Sequence, residues 1–201
     1  MNTFKPSLAA VNSGGSFEIL AQGAYPARIQ SIWKIGTQPY EYQGEQKTRK
    51  RMRVLFELVD ETYEVEGKVL PKLTGKEFTD SLSPQGKLAP VLGLLLGKAV
   101  KPSDSIDYTT LLDMPCIVNI MHFEKDGKTI PYVDSVGMPM KGMKVSPLKS
   151  EVGFFDFDGN FNNETVQSAT EFLRDAIMRA PEYQDALKQV GSDVEKSNLG
   201  F

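Results

Sequence analysis

The sequence predicts a mainly β fold: a five-stranded barrel with one helix between its third and fourth strands, followed by a C-terminal helical extension. Three observations carry that expectation. Runs of β-branched and aromatic residues, separated by Gly, Pro and Asp turns, recur through the first 137 residues. Between residues 88 and 97 the apolar period changes from two to that of a helix, and beyond residue 162 the helical period returns.

The elements follow in order. Tyr25, Ile29, Ile32, Trp33 and Ile35 mark a first strand over 23–35, closed by Gly36 and a turn-rich loop over 37–44. The second strand, 47–59, alternates: Met52, Val54, Phe56 and Leu58 share one face, and Arg49, Arg51, Arg53, Leu55 and Glu57 share the other. After the breakers Pro71 and Gly75, a third strand is expected over 77–82. Leu88, Val91, Leu92 and Leu95 then stand at i, i+3, i+4 and i+7, one face of a helix that Gly97 would stop. A short helical turn is expected near 108–112, a fourth strand over 116–123, the hairpin dipeptide Asp126-Gly127, and a fifth strand over 130–136.

Five strands with a helix between the third and fourth is the arrangement of the OB-fold, a partly open Greek-key barrel that commonly binds oligonucleotides or oligosaccharides. Met138, Met140 and Met143 lie in a Gly- and Pro-containing linker. Asn162 or Asn163 can cap a helix whose stripe is Val166, Ala169, Leu173, Ala176 and Ile177, interrupted at Pro181; a shorter helix over 182–190 would stop at Gly191. The expected organisation is thus a flexible segment at 1–19, the barrel at 20–140, a linker and helical extension at 141–191, and a flexible tail at 192–201.

Charge is divided along the chain. Residues 1–150 hold 19 Lys and Arg against 16 Asp and Glu, whereas 151–201 hold 4 against 10. A mildly basic body suits a binder of polyanions. No apolar run approaches the roughly 20 residues of a membrane span, and no basic-then-apolar signal opens the chain, so a cytoplasmic protein without membrane contact is expected.

The most informative segment is the second strand, where Lys47, Arg49, Lys50, Arg51 and Arg53 place five cations in seven residues. Alternate residues of a strand project together about 6.8 Å apart, comparable to successive phosphates of an extended single strand. Guanidinium groups also pair with phosphate oxygens and stack on bases. Sequence-tolerant binding further needs aromatic faces, which Tyr40 and Tyr42 offer in the adjoining loop; Trp33 precedes it and fits the core better. Arg28, Lys34 and Lys76 are candidates to extend the cationic surface. The competing reading of the basic strand is a charged edge that resists aggregation.

Catalytic and metal readings fare poorly. His122 is the only histidine and lies in a strand-like run, and Cys116 is the only cysteine, which suits a small core residue and rules out a multi-thiolate zinc site. The stretch 93–99 superficially matches a phosphate loop but its glycines are one residue too close and the Ser or Thr that binds magnesium is missing. In 156–160 the glycine is misplaced for an EF-hand loop and no glutamate occupies its twelfth position. Neither enzymatic activity nor a cofactor or metal is expected.

The stretches Gly23-Ala24-Tyr25-Pro26-Ala27-Arg28-Ile29, Arg53-Val54-Leu55-Phe56-Glu57-Leu58, Pro115-Cys116-Ile117-Val118-Asn119-Ile120 and Asp126-Gly127-Lys128 together resemble the small OB-fold single-stranded DNA-binding proteins encoded by tailed bacteriophages. The resemblance covers about residues 20–137 and implies coating and protection of single strands during phage DNA replication or recombination, without a cofactor. The tail, ending Leu199-Gly200-Phe201 after Asp193 and Glu195, is similar to the acidic, phenylalanine-ending tails of bacterial single-strand binders, though it has Leu-Gly before Phe201 and only two acids in the last ten residues. Docking of replication or recombination proteins on this tail is an expectation, and self-association is left open. The rival expectation is a non-catalytic protein-interaction or virion structural module that uses the barrel as scaffold.

Overall fold

The computed structural model describes residues 19–159 and 161–198, with side chains as far as Val190. The segment expected to be flexible at 1–19 therefore lies, except for Ile19, outside the described residues.

Five long strands form the barrel: β1 (Gly23–Tyr42), β2 (Glu45–Val65), β3 (Lys68–Thr79), β4 (Pro115–Lys125) and β5 (Lys128–Gly137). All neighbours are antiparallel, in the order β3-β2-β1-β4-β5. The seam between β3 and β5 is bridged by the Lys76 ammonium, which donates to the carbonyls of Val133 (2.6 Å) and Asp134 (2.7 Å). Helix α1 (Leu88–Leu96) falls between the third and fourth strands, so the architecture is the expected OB-type barrel. Gly97, at φ 65°, ends α1; its N–H donates to Leu94 and that of Lys98 to Gly93, satisfying carbonyls at the helix end. The glycine-rich stretch at 93–99 is thus a helix terminus rather than a phosphate loop.

Three two-residue turns close the hairpins: Gln43-Gly44, Glu66-Gly67 and Asp126-Gly127, every residue with positive φ. This is the turn whose backbone twist matches flanking strands. Two strand boundaries differ from expectation as a result. Gly36 does not end β1, because at φ 73° it lies beside a bulge between Lys34 and Gly36, and the strand continues through the supposed loop to Tyr42. β3 starts at Lys68 rather than near 77 and ends at Thr79. Pro71 pairs with Thr62 at a bulge, where a missing donor is tolerated. Gly75 lies beneath Leu55 and Arg53, and a Cβ there would meet Leu55 Cδ2 at 2.8 Å.

The barrel interior holds Ile29, Ile32, Met52, Val54, Phe56, Leu58, Cys116, Val118 and Ile120, with Leu88, Leu92 and Leu95 of α1 packed against them. The expected inner face of β2 is therefore correct. The opposite face is where the sequence reading falls short, because it carries a second core.

After β5 the chain returns across the outside of β1 and β2. Arg28 anchors it, its guanidinium donating to the carbonyls of Val145, Ser146 and Asp113 and pairing with the Asp113 carboxylate at 3.1 Å. Glu57, fully buried, accepts from the backbone N–H groups of Lys149 (2.7 Å) and Ser150 (3.0 Å) and from the Ser150 hydroxyl. A short strand, β6 (Gly153–Phe155), then pairs in parallel with Ser31–Trp33 of β1.

Helices α2 (Asn163–Ser168), α3 (Glu171–Arg179) and α4 (Pro181–Asn198) follow. The apolar stripe expected of one helix is buried as read, but the chain breaks between Ser168 and Glu171, where Thr170 caps α3 while Asn162 caps α2. Pro181 opens α4, a position that needs no N–H donor. Gly191 does not stop that helix. The backbone stays helical to Asn198, so the tail expected to be flexible from 192 is helical over that span, and residues 199–201 lie outside the described ones. Val166, Leu173, Ala176, Ile177 and Tyr183 pack with Trp33, Ile35, Leu55 and Phe155 into the second core. Trp33 is fully buried there, 5.6 Å from Phe155 ring to ring, with its indole N–H on the Ser31 hydroxyl.

Candidate nucleic-acid interface

Because β1 and β2 run past the barrel, they form a two-stranded arm ending at Gln43-Gly44. Its register pairs Gln38 with Arg49, Tyr40 with Lys47 and Tyr42 with Glu45. The bulges of this ladder lie in β1, at Ile29/Ser31 and Lys34/Gly36, and the β2 side runs without interruption from Glu45 to Leu58. The expected alternation therefore holds: Lys47, Arg49, Arg51 and Arg53 share a face, and cross-strand pairing puts Tyr40 and Tyr42 on it. Lys50, paired with Thr37, is exposed on the other face.

Each cation of the row has a partner. The Lys47 ammonium lies 5.1 Å from the Tyr42 ring centre and 3.0 Å from Glu45. The Arg49 guanidinium stacks over Tyr40 at 4.1 Å. Arg51 is ion-paired with Glu77 of β3. Arg53 lies over the ring of Phe172 on α3, at 4.6 Å, and burial lowers its pKa while the nearby Glu77 acts against that. The Nε atoms of Arg49 and Arg51 are buried with no hydrogen-bond acceptor among the described residues.

The row is not the open cationic face that alternation alone implies. Below Arg53, the same face continues into Leu55 and Glu57, both buried under the C-terminal extension. Arg51 and Arg53 lie at the boundary, and Tyr40, Lys47 and Arg49 are themselves half-buried, while Tyr42, near the tip of the arm, is exposed. Tyr42 is 53% exposed.

The base of the arm is held by Glu182 of α4, whose carboxylate accepts from the Thr37 hydroxyl (2.6 Å) and the Thr37 N–H (3.0 Å). Burial works to raise the Glu182 pKa, but these hydrogen bonds and the charge of Lys50 outweigh it and leave the carboxyl below its ordinary value.

Arg28, Lys34 and Lys76 do not extend this surface, contrary to expectation. The Arg28 fork is used by the returning chain. Lys34, paired with Met52 across the ladder, points the other way, to Asp80 (3.6 Å) and over Tyr108 (5.1 Å). Lys76 is the seam bridge, and burial depresses its pKa, with Lys87 adding to the effect and Asp134 opposing it. A lysine or arginine near a basic strand is thus recruited here by carbonyls and carboxylates of the scaffold.

Two residues the sequence reading passed over join the site. Phe172 and Arg179 of α3 line a groove of about 290 Å³ with Arg51, Glu77, Gln38, Pro39 and Asp175. Phe172 is 56% exposed, and its signal in the sequence was a large aromatic adjacent to Leu173 but off the apolar stripe.

Residues considered for other chemistry are placed elsewhere. Cys116 is inside the barrel, its thiol pushed up to about 12 by burial against the opposing charge of Arg28. His122 Nε2 lies 2.7 Å from the Leu20 carbonyl. Asp156 accepts from the Gly159 N–H, a turn. Among the described residues no group of three His, Cys, Asp or Glu side chains is arranged to hold a metal, and no helix is long and apolar enough to cross a membrane. Comparison with protein-family models and with curated proteins returns no match.

Proposed function

We propose that this chain binds single-stranded DNA largely independently of sequence and without catalysis, coating and protecting it in the phage replication or recombination setting that the resemblance implies. The observation that carries the reading is the stacked row on one face of the β1–β2 arm, Lys47 on Tyr42 and Arg49 on Tyr40, continued by Arg53 on Phe172. Cations paired to aromatic faces offer phosphates and bases their two complementary partners side by side, and neither contact depends on base identity.

The test is fluorescence anisotropy of labelled oligo-dT across a salt series. Each neutralised phosphate contributes about −0.7 to the log-log slope of affinity against salt. Of the arm cations Lys47, Arg49 and Lys50, the two on the stacked face, Lys47 and Arg49, would contribute about −1.4 and Lys50 on the other face nothing, so the triple alanine variant should flatten the slope by about 1.4. These three are preferred because Arg51 and Arg53 also hold β3 and α3. No anisotropy change at micromolar protein and low salt would remove this reading.

The second reading, a protein-interaction or virion module, draws on a different surface. Met121, Phe123 and Tyr132 are exposed on the β4–β5 hairpin, with Phe123 and Tyr132 edge to face at 5.7 Å. Retained partner binding after the triple substitution would favour it.

A further inference from the structure

Resting on the single-strand reading, we propose that the groove between α3 and the β1–β2 arm is a nucleobase subsite in which Phe172, a residue of the C-terminal extension and not of the barrel, stacks on a base.

The lining separates this groove from the arm beside it. Arg51 and Arg179 supply two positive charges, and Glu77 and Asp175 two negative ones. Arg51 is already matched to Glu77. A balanced lining gives no net attraction to a phosphate, whereas guanidinium and carboxylate groups beside the apolar side chains of Pro39, Phe172 and Ala176 suit a neutral, planar, hydrogen-bonding group. At about 290 Å³ the groove is at the small end of ligand sites, which begin near 300 Å³, and too small for a helix or folded segment.

The second core does not account for the exposure of Phe172. Its neighbours Leu173 and Ala176 fill the second core, while Phe172 itself remains more than half exposed. Arg53 lies over its ring, fixing an aromatic surface that an α-helix would otherwise leave mobile. The path of the strand then runs along the arm, phosphates on Lys47 and Arg49, and turns at its base so that a base enters beside Phe172. The extension is thereby part of the binding surface, and the acidic charge of its sequence does not exclude nucleic acid.

The experiment compares wild-type protein with Phe172→Ala on oligo-dT and on an abasic oligonucleotide of equal length. Loss of one stacked base should weaken oligo-dT binding about 5-fold or more, and leave the abasic backbone within about 2-fold of wild type, since its contacts are electrostatic. Phe172→Trp supplies an independent readout. The one native tryptophan, Trp33, is fully buried, so emission from the new indole should be quenched by oligo-dT and unaffected by the abasic strand. Free dTMP distinguishes a strand subsite from a mononucleotide site. Quenching by dTMP at the concentrations at which oligo-dT acts would overturn the assignment. If oligo-dT binds wild type but Phe172→Ala binds it equally well and Phe172→Trp is not quenched, the subsite is wrong and the single-strand reading stands. If wild type binds no oligonucleotide, both fall.

Discussion

The seat of the C-terminal helices on β1 can be tested at one atom. Gly36 has φ 73°, and a Cβ built on it would meet Ala180 Cβ at 2.6 Å, Glu182 Oε2 at 2.9 Å and Phe157 Cε2 at 2.9 Å. Gly44, in the arm's turn, has a similar φ of 78°, yet a Cβ there would find nothing within 4 Å. Alanine at either position bears the left-handed penalty of roughly 1–2 kcal/mol. Only at Gly36 must packed neighbours also move, which costs typically about 1–3 kcal/mol more. Gly36→Ala should therefore destabilise by about 2–5 kcal/mol and Gly44→Ala by about 1–2 kcal/mol. Urea unfolding with a common m-value reads the difference directly, because the shared backbone term cancels. Limited proteolysis of the native Gly36→Ala protein should in addition cut first near the α3–α4 junction. Equal losses at the two glycines, with unchanged cleavage, would refute the seating of Ala180 and Glu182 on the bulge.

Other expectations follow from single groups. Glu57→Ala removes the acceptor of the part-buried N–H groups of Lys149 and Ser150 and should cost about 1–3 kcal/mol, seen as a fall in thermal midpoint of several degrees; an unchanged midpoint would mean the returning chain is not clasped there. The Glu182 pKa is lower in the folded chain than in the unfolded one, so its stabilisation is present above the unfolded carboxyl pKa and lost as pH falls through the folded value. Glu182→Gln should accordingly flatten the acid side of the stability profile and leave a smaller drop below about pH 4.5; parallel profiles would contradict this. Cys116, buried with its thiol pushed up to about 12, should resist a thiol-reactive reagent at pH 8 until denaturant is added, and rapid native labelling would show that it does not sit inside the barrel. Lys76→Met removes both seam hydrogen bonds and should raise amide exchange in β3 and β5 ahead of β1 and β2.

How much could be read from the chain depended on whether the determining contacts were local. Alternation through Met52, Val54, Phe56 and Leu58 needs only neighbours in sequence, and it placed the barrel core and put the arginines together on the opposite side of the strand, without showing how far that side is covered. The α1 stripe and the Asp126-Gly127 turn were legible for the same reason. Gln43-Gly44 and Glu66-Gly67 make the same turn, but Gln and Glu favour positive φ less than Asn or Asp, so the arm's length and the start of β3 were missed. β6 has three residues, too few for any period. Most consequential is Leu55 among the arginines. One apolar residue on a charged face reads as an exception, yet it marks where Leu173 and Ile177, more than a hundred residues later, come to rest. The same distant return turned Arg28 into an anchor and Arg53 into a partner for Phe172.

The parallel pairing of β6 with Ser31–Trp33 has a further consequence, for the making of the protein. Every hairpin of the barrel joins consecutive strands, so it can form as the chain emerges from the ribosome, whereas β6 and α3 close contacts of very large sequence separation. At about 5–20 residues per second, the interval between completing β5 and reaching Tyr183 is roughly 2–9 s. During it the newborn barrel has its outer flank of Trp33, Ile35 and Leu55 uncovered. That flank is a temporary adhesive surface, and a chain released early would keep it.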